Sequence, residues 1–292
     1  MLNSFSYTKD LTYSGIFLII NIDSSVRNVR GAEQIFSGVF AVKKIIAITN
    51  QKGGVGKTTT ALSLISALHL RNYKVLGVDL DPQGSLGFSA GLDIENADTV
   101  YDVLKGKQKI DDVIIDTEIG DFLPSNILLS TAELEFNMPG REFLLRDALA
   151  RIAGDYDYII IDTPPALNVL TVNAYVAAQG LIVPMAPEIL SLLGVSQLRD
   201  TVENVRRYYN PSLEVMGILL NRYSSRLVLN REVEDMVQEV AQKLETKVFR
   251  NKIHASVAIA ESPAYGESVL TYSPGSRSAR DFTGLLDEIM QE

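Results

Sequence analysis

The 292-residue sequence predicts an α/β fold, a mainly parallel sheet covered by helices on both faces, and three observations carry the prediction. Short, β-branched apolar runs alternate with longer amphipathic stretches from Lys44 onward, the rhythm of β-α-β units. A glycine-rich turn separates the first apolar run from the first helical stretch. Several of the apolar runs end in a polar or acidic residue, and the carboxyl ends of strands are where such sheets bind ligands.

The elements follow in order. Strands are expected at Ile45–Thr49, Val75–Asp79, Ile159–Asp162, Leu181–Pro184 and Val215–Leu220, each apolar enough to be covered on both faces. Helices are expected near Thr58–Leu70, Arg141–Ala153, Val195–Tyr208 and Arg231–Leu244. The stretch Phe282-Thr283-Gly284-Leu285-Leu286-Asp287-Glu288-Ile289-Met290 has an apolar stripe with acidic neighbours and is expected to be the last core-packing helix. One domain over 44–292 accommodates all of this. Residues 1–43 look unlike the rest and are set apart as an N-terminal extension. The regular pattern starts cleanly at Val42-Lys43-Lys44, so a native start at Val42, from an alternative initiation codon, is one expectation. The longest apolar run in the extension, Gly15-Ile16-Phe17-Leu18-Ile19-Ile20, is far short of a membrane span and lacks the marks of a secretory signal, so a cytoplasmic location is expected.

Composition removes several chemistries. The chain has no cysteine, which excludes disulfides, thiolate nucleophiles and iron–sulfur ligation. Its two histidines, His69 and His254, are far apart, so any metal is expected to be oxygen-bound. The net charge of −9 argues against uniform coating of nucleic acid, yet residues 199–280 carry 12 basic against 10 acidic side chains, which leaves room for a local basic face.

The chemistry starts at Asn50-Gln51-Lys52-Gly53-Gly54-Val55-Gly56-Lys57-Thr58-Thr59-Thr60, between a strand and a helix. This is a phosphate-binding loop. Its glycines let backbone N–H groups turn inward, Lys57 reaches the β- and γ-phosphates, and the Thr58 hydroxyl ligates Mg²⁺ at the helix start. The nucleotide is thus expected on Gly53, Gly54, Val55, Gly56, Lys57, Thr58 and Thr59, in a P-loop NTPase three-layer sandwich. The usual pattern has glycine at position 51; here it is Gln51, followed by an additional lysine, Lys52. The second strand ends in Asp79-Leu80-Asp81-Pro82, whose two carboxylates share a face and, beside a triphosphate, can hold water and order Mg²⁺. A third strand ends in Asp162, followed by Thr163-Pro164-Pro165, as a strand that supports Mg²⁺ through water would. Asn221, after the last expected strand, has an amide that can read an adenine edge and can equally cap a turn.

With Lys52 just before the glycines, the loop resembles the deviant Walker A motif of the ParA/MinD class of ATPases. Similar order and spacing continue through Leu123-Pro124-Ser125-Asn126, Ala132-Glu133-Leu134-Glu135, Gly140-Arg141-Glu142-Phe143-Leu144-Leu145-Arg146-Asp147-Ala148-Leu149 and Glu261-Ser262-Pro263-Ala264-Tyr265-Gly266-Glu267-Ser268-Val269, from about Lys44 to the C-terminus. The resemblance is to the partitioning ATPases of that class, the ParA/Soj type. It implies an ATP-dependent homodimer in which Lys52 reaches the partner's nucleotide, Asp81 positions the attacking water, and Asp79 and Asp162 support the metal site. It also implies slow, partner-stimulated ATP hydrolysis, with Lys52, Lys57 and Asp81 as the catalytic residues, and a ParB-like or other cargo-bound adaptor as stimulator. Such proteins position chromosomes or plasmids by non-specific DNA binding in the ATP state and are then nucleoid-associated. The basic candidates here are Arg222, Arg226, Lys243, Lys247, Arg250, Lys252, Arg277 and Arg280, with Ala258 where many relatives have a basic residue. Two alternatives stand beside this: a switch that positions a protein cargo or regulates without DNA, and a MinD-like membrane-positioning ATPase, for which the acidic C-terminal stripe is a poor match.

Overall fold

The computed structural model, which describes residues 44–95, 97–187, 195–224 and 230–291, places seven strands in one sheet. They are β1 (Lys44–Ile48), β2 (Val75–Asp79), β3 (Ile115–Thr117), β4 (Gly120–Leu123), β5 (Tyr158–Asp162), β6 (Gly180–Met185) and β7 (Glu214–Leu220). Their order is β3-β4-β2-β5-β1-β6-β7. All neighbouring pairs are parallel except β3 with β4. The extension over 1–43 and the candidate Arg226 lie outside the described residues.

Apolar content on both sides of each strand decides this arrangement. Along β1, Ile45 and Ala47 enter one core while Ile46 and Ile48 enter the other, because successive side chains point to opposite faces. The principal helices are α1 (Lys57–His69), α2 (Ser85–Ser89), α3 (Val169–Ala177), α4 (Val195–Tyr208), α5 (Asn230–Lys243) and α6 (Arg277–Met290). On one face α3, α4 and α5 contribute Leu170, Val202 and Val240. On the other, α1 contributes Leu64, Ile65 and Leu68, and α6 covers it with Phe282, Leu285, Leu286 and Ile289. The C-terminal stripe is therefore core. No helix among the described residues is long and apolar enough to cross a membrane.

Three elements differ from expectation. The stretch 141–153 is not one helix but a 3₁₀ turn, Arg141–Phe143, a short helix, Leu144–Leu149, and a second turn, Ala153–Asp155. Gly140, at φ 84°, and Gly154 bracket it and weaken continuous helix. The β3–β4 hairpin adds an antiparallel edge too short and too acidic to register as apolar runs. Helix α3 is buried almost all round, so its sequence lacks a polar face; its start is set by Asn168, whose side chain accepts from Leu170 N and Thr171 N.

Candidate functional site

The site forms where β1, β2 and β5 end side by side. In register, Ile48 pairs with Asp162 and Asp79 also pairs with Asp162, so the phosphate loop and two acidic strand ends converge. Asn50 fixes the start of the loop: its Nδ2 donates to Pro184 O at 2.8 Å and its Oδ1 accepts from Lys52 N at 2.9 Å. Gly54 and Gly56 then take φ of 73° and 90°, values that favour glycine. At Gly56 space adds a second reason, because a Cβ would stand 2.1 Å from Asn221 Nδ2. Gly56 O receives both the N–H and the hydroxyl of Thr60, at 2.9 and 2.7 Å, which locks the loop to the first turn of α1.

Lys57 is 7% exposed, and its Nζ donates to Lys52 O at 3.3 Å, closing the loop on itself. Burial pulls its ammonium below the ordinary lysine range, while Asp162 and Asp81 act to hold it up. A cation kept dry in a loop of inward N–H groups is arranged to receive a polyanion.

Asp162 is fully buried, and its Oδ2 accepts the Thr58 hydroxyl at 2.6 Å. Its Oδ1 has no hydrogen-bond partner. Burial pushes this carboxyl up to about 7, against the Thr58 bond and the Lys57 charge that favour the ionised form. An orphaned buried carboxylate oxygen, beside a threonine hydroxyl whose proton is already given away, fits a hard divalent cation completed by water and phosphate oxygens. No cluster of three or more His, Cys, Asp or Glu side chains able to hold an ion stands among the described residues.

Asp79, expected to support the metal site, lies at the end of β2. The carboxylate is 1% exposed and turned into the backbone, with Oδ1 accepting from Asp81 N at 2.9 Å and Oδ2 from Leu86 N and Gly87 N at 2.9 and 3.4 Å. Burial, then the neighbouring Asp162 charge, raise its pKa well above the usual range. Through these bonds Asp79 ties β2 to α2 and shapes the turn that presents Asp81. Asp81 is partly exposed, accepts from Gln83 N at 3.0 Å and lies near enough to act on Lys57.

A cavity of about 580 Å³ opens beside the loop, with Gly54, Gly56, Thr59, Asn221, His254 and Ile259 in its lining. Asn221 is present as expected, but its amide is turned to the backbone: Oδ1 accepts from Arg222 N at 2.9 Å, and Nδ2 lies 3.5 Å from Gly56 O. The part of the lining within residues 254–260 carries almost no mark in the sequence. Its one signal is His254, a rare residue type placed just after a buried isoleucine, Ile253.

The basic candidates do not share one environment. Arg222 sits at φ 55° with Nη1 3.5 Å from Gly54 O, so it braces the phosphate loop. Lys252 pairs with Glu234 and lies over the Tyr223 ring. Arg222 is nonetheless exposed, and Arg280 Nη1 donates to Gly275 O at 2.7 Å. Lys243 and Lys247 are exposed beside β7, where Thr246 bonds to Val215 O and Ile218 N bonds to Lys247 O, while Arg250, Arg277 and Arg280 are exposed around the strap before α6 and the start of α6.

Comparison with known proteins matches this geometry. Residues 43–215 match the AAA domain family model. The sporulation initiation inhibitor protein Soj of Bacillus subtilis is 40% identical over 253 residues, covering 84% of this chain and 98% of that protein. The chromosome partitioning protein ParA of Myxococcus xanthus is 38% identical over 258 residues, covering 87% and 90%. A solved structure named cobyrinic acid a,c-diamide synthase, from Mycobacterium smegmatis with bound ATP analog and magnesium, superposes with a TM-score of 0.76 at 37% identity, covering 86% of this chain and 95% of that one. Phosphate loop, paired acidic strand ends and similarity along nearly the full length of these relatives agree: the chain belongs to the ParA/Soj family of partitioning P-loop ATPases.

Proposed function

We propose that the chain is an ATP-driven dimerising switch that positions DNA, chromosome or plasmid, by binding it non-specifically in the ATP state and leaving it on hydrolysis. The observation that supports this most is the phosphate loop with Lys57 buried in it and Lys52 at its partly exposed rim. Lys57 and the loop N–H groups hold the phosphates and offset charge that grows on them in the transition state. Asp81 orients water, Thr58 and Asp162 receive Mg²⁺, and Asp79 keeps the Asp81 turn in place. Held by Thr58 and Asp162, Mg²⁺ would supply positive charge against the phosphates. In this reading turnover is slow and is accelerated by an adaptor of the ParB kind. An amide-forming reaction that takes nitrogen from glutamine through a thiolate has no nucleophile in this cysteine-free chain.

DNA binding is tested with Asp81→Ala, which holds the ATP state. With ATP and Mg²⁺ this variant is expected to retain duplex DNA of any sequence at low salt and to release it steeply as salt rises, with ADP giving no retention. Arg250→Ala with Arg277→Ala should flatten the salt slope by about two, roughly one for each phosphate no longer neutralised. A nucleotide-bound dimer that ignores DNA at every salt concentration would instead favour the switch that positions a protein cargo.

A further inference from the structure

We propose that His254 reads the base of the bound nucleotide, accepting a hydrogen bond from the exocyclic amine of a 6-aminopurine. The inference rests on the ATP reading and adds a residue that selects the base. His254 lines the 580 Å³ cavity together with Gly54, Gly56 and Asn221. Its backbone N–H and its ring Nδ1 both meet Asp281 Oδ2, at 3.0 and 2.9 Å. An ionised carboxylate only accepts, so Nδ1 carries the hydrogen, and in the neutral ring Nε2 is left as an acceptor. Nε2 makes no hydrogen bond among the described residues and is not among the fully buried unsatisfied atoms, so it is open to the cavity or to water.

The ring is held where it is. Tyr223 meets it edge to face, with centroids 5.3 Å apart at 87°. Tyr223 is fixed in turn by its hydroxyl bond to Glu234, at 3.1 Å, and by Lys252 4.5 Å above its ring. Glu288 ties the preceding strap to α6 by accepting from Arg250 N and Asn251 N, so the wall that carries His254 is anchored at two points of one helix. Asn221, the other candidate for the base, has its carbonyl occupied by Arg222 N and its amine facing Gly56 O. A fixed acceptor favours an amine at position 6 of a purine and opposes a carbonyl there, whose lone pairs would face its own.

The test is the dissociation constant, by calorimetry with Mg²⁺, of the full chain for ATP, purine riboside triphosphate and inosine triphosphate. The second lacks the amine and the third replaces it with a carbonyl; sugar and phosphates are unchanged. The wild-type chain is expected to bind purine riboside triphosphate roughly tenfold more weakly than ATP, the worth of one hydrogen bond, and inosine triphosphate more weakly still. His254→Phe keeps an aromatic ring against Tyr223 and removes the acceptor, so its ATP and purine riboside triphosphate affinities should become equal. Equal wild-type affinity for the three nucleotides, or a folded His254→Phe chain that keeps the wild-type ratio, would overturn the inference while leaving the ATP reading intact. A wild-type chain that binds none of the three overturns both.

Discussion

Replacing Lys57 by alanine is expected to reduce ATP turnover by roughly 10²–10³, the usual effect of removing one preorganised group at the charge that develops in a transition state. The structure makes the effect large because the loop encloses this ammonium. Lys57 is almost wholly buried, and its Nζ is already aimed along the loop at Lys52 O. Lys52 is the nearest other cation in the sequence, yet its backbone is pinned by Asn50 Oδ1 at the rim of the loop. Arginine should rescue poorly, since a planar guanidinium is larger than the ammonium that this loop encloses. Phosphate release by a steady-state assay measures the turnover, and titration with a fluorescent ATP analogue measures binding. Circular dichroism must show native helix content for the result to count, because removing this cation also leaves Asp162 and Asp81 without their shared counter-charge.

Asp162→Asn is expected to separate stability from function. The buried carboxylate is held without a partner at Oδ1, beside Asp79, and burial drives it toward the protonated form. A neutral amide of the same shape keeps an oxygen for the Thr58 hydroxyl and removes the buried charge, so the nucleotide-free chain should melt higher by on the order of a few degrees. The same change removes the charge that a divalent cation needs. Mg²⁺ should then no longer tighten nucleotide binding, and turnover should fall by about 10² or more. Thermal melts with and without ATP and Mg²⁺ measure the stability and the metal linkage together, and the phosphate-release assay measures the turnover. A variant that melts lower than wild type without ligand would show that the negative charge supports the empty site.

Such sites, less stable than their surroundings, are where local sequence and structure part company. The five β-branched runs at β1, β2, β5, β6 and β7 are legible because central parallel strands are apolar on both faces, and the P-loop is legible because its glycines sit in sequence as they sit in space. Other features are hidden for particular reasons. Ile115–Thr117 and Gly120–Leu123 form a sheet edge and carry Asp116 and Asp121, so they lack an apolar run. Val169–Ala177 has no polar face to betray a helical period. The Asp79-x-Asp81 pair is visible, but the period of two cannot tell which carboxylate faces the nucleotide and which accepts N–H groups from the next helix. The wall at residues 254–260 lies some thirty residues beyond β7 and meets the phosphate loop only through the fold. The basic residues are countable, yet only the structure shows what they touch, Arg222 lying by Gly54 O and Lys252 pairing with Glu234.

The central claim is that Lys52, at the rim of the loop, makes this P-loop a dimerising switch. The most direct measurement is the mass in solution of Asp81→Ala with ATP and Mg²⁺, alone and combined with Lys52→Ala. The account predicts twice the 32.1 kDa chain mass for the first, 32.1 kDa for the same variant with ADP, and 32.1 kDa for the double variant in ATP. A single-chain mass for Asp81→Ala with ATP bound, or a dimer that persists without the Lys52 side chain, would contradict it.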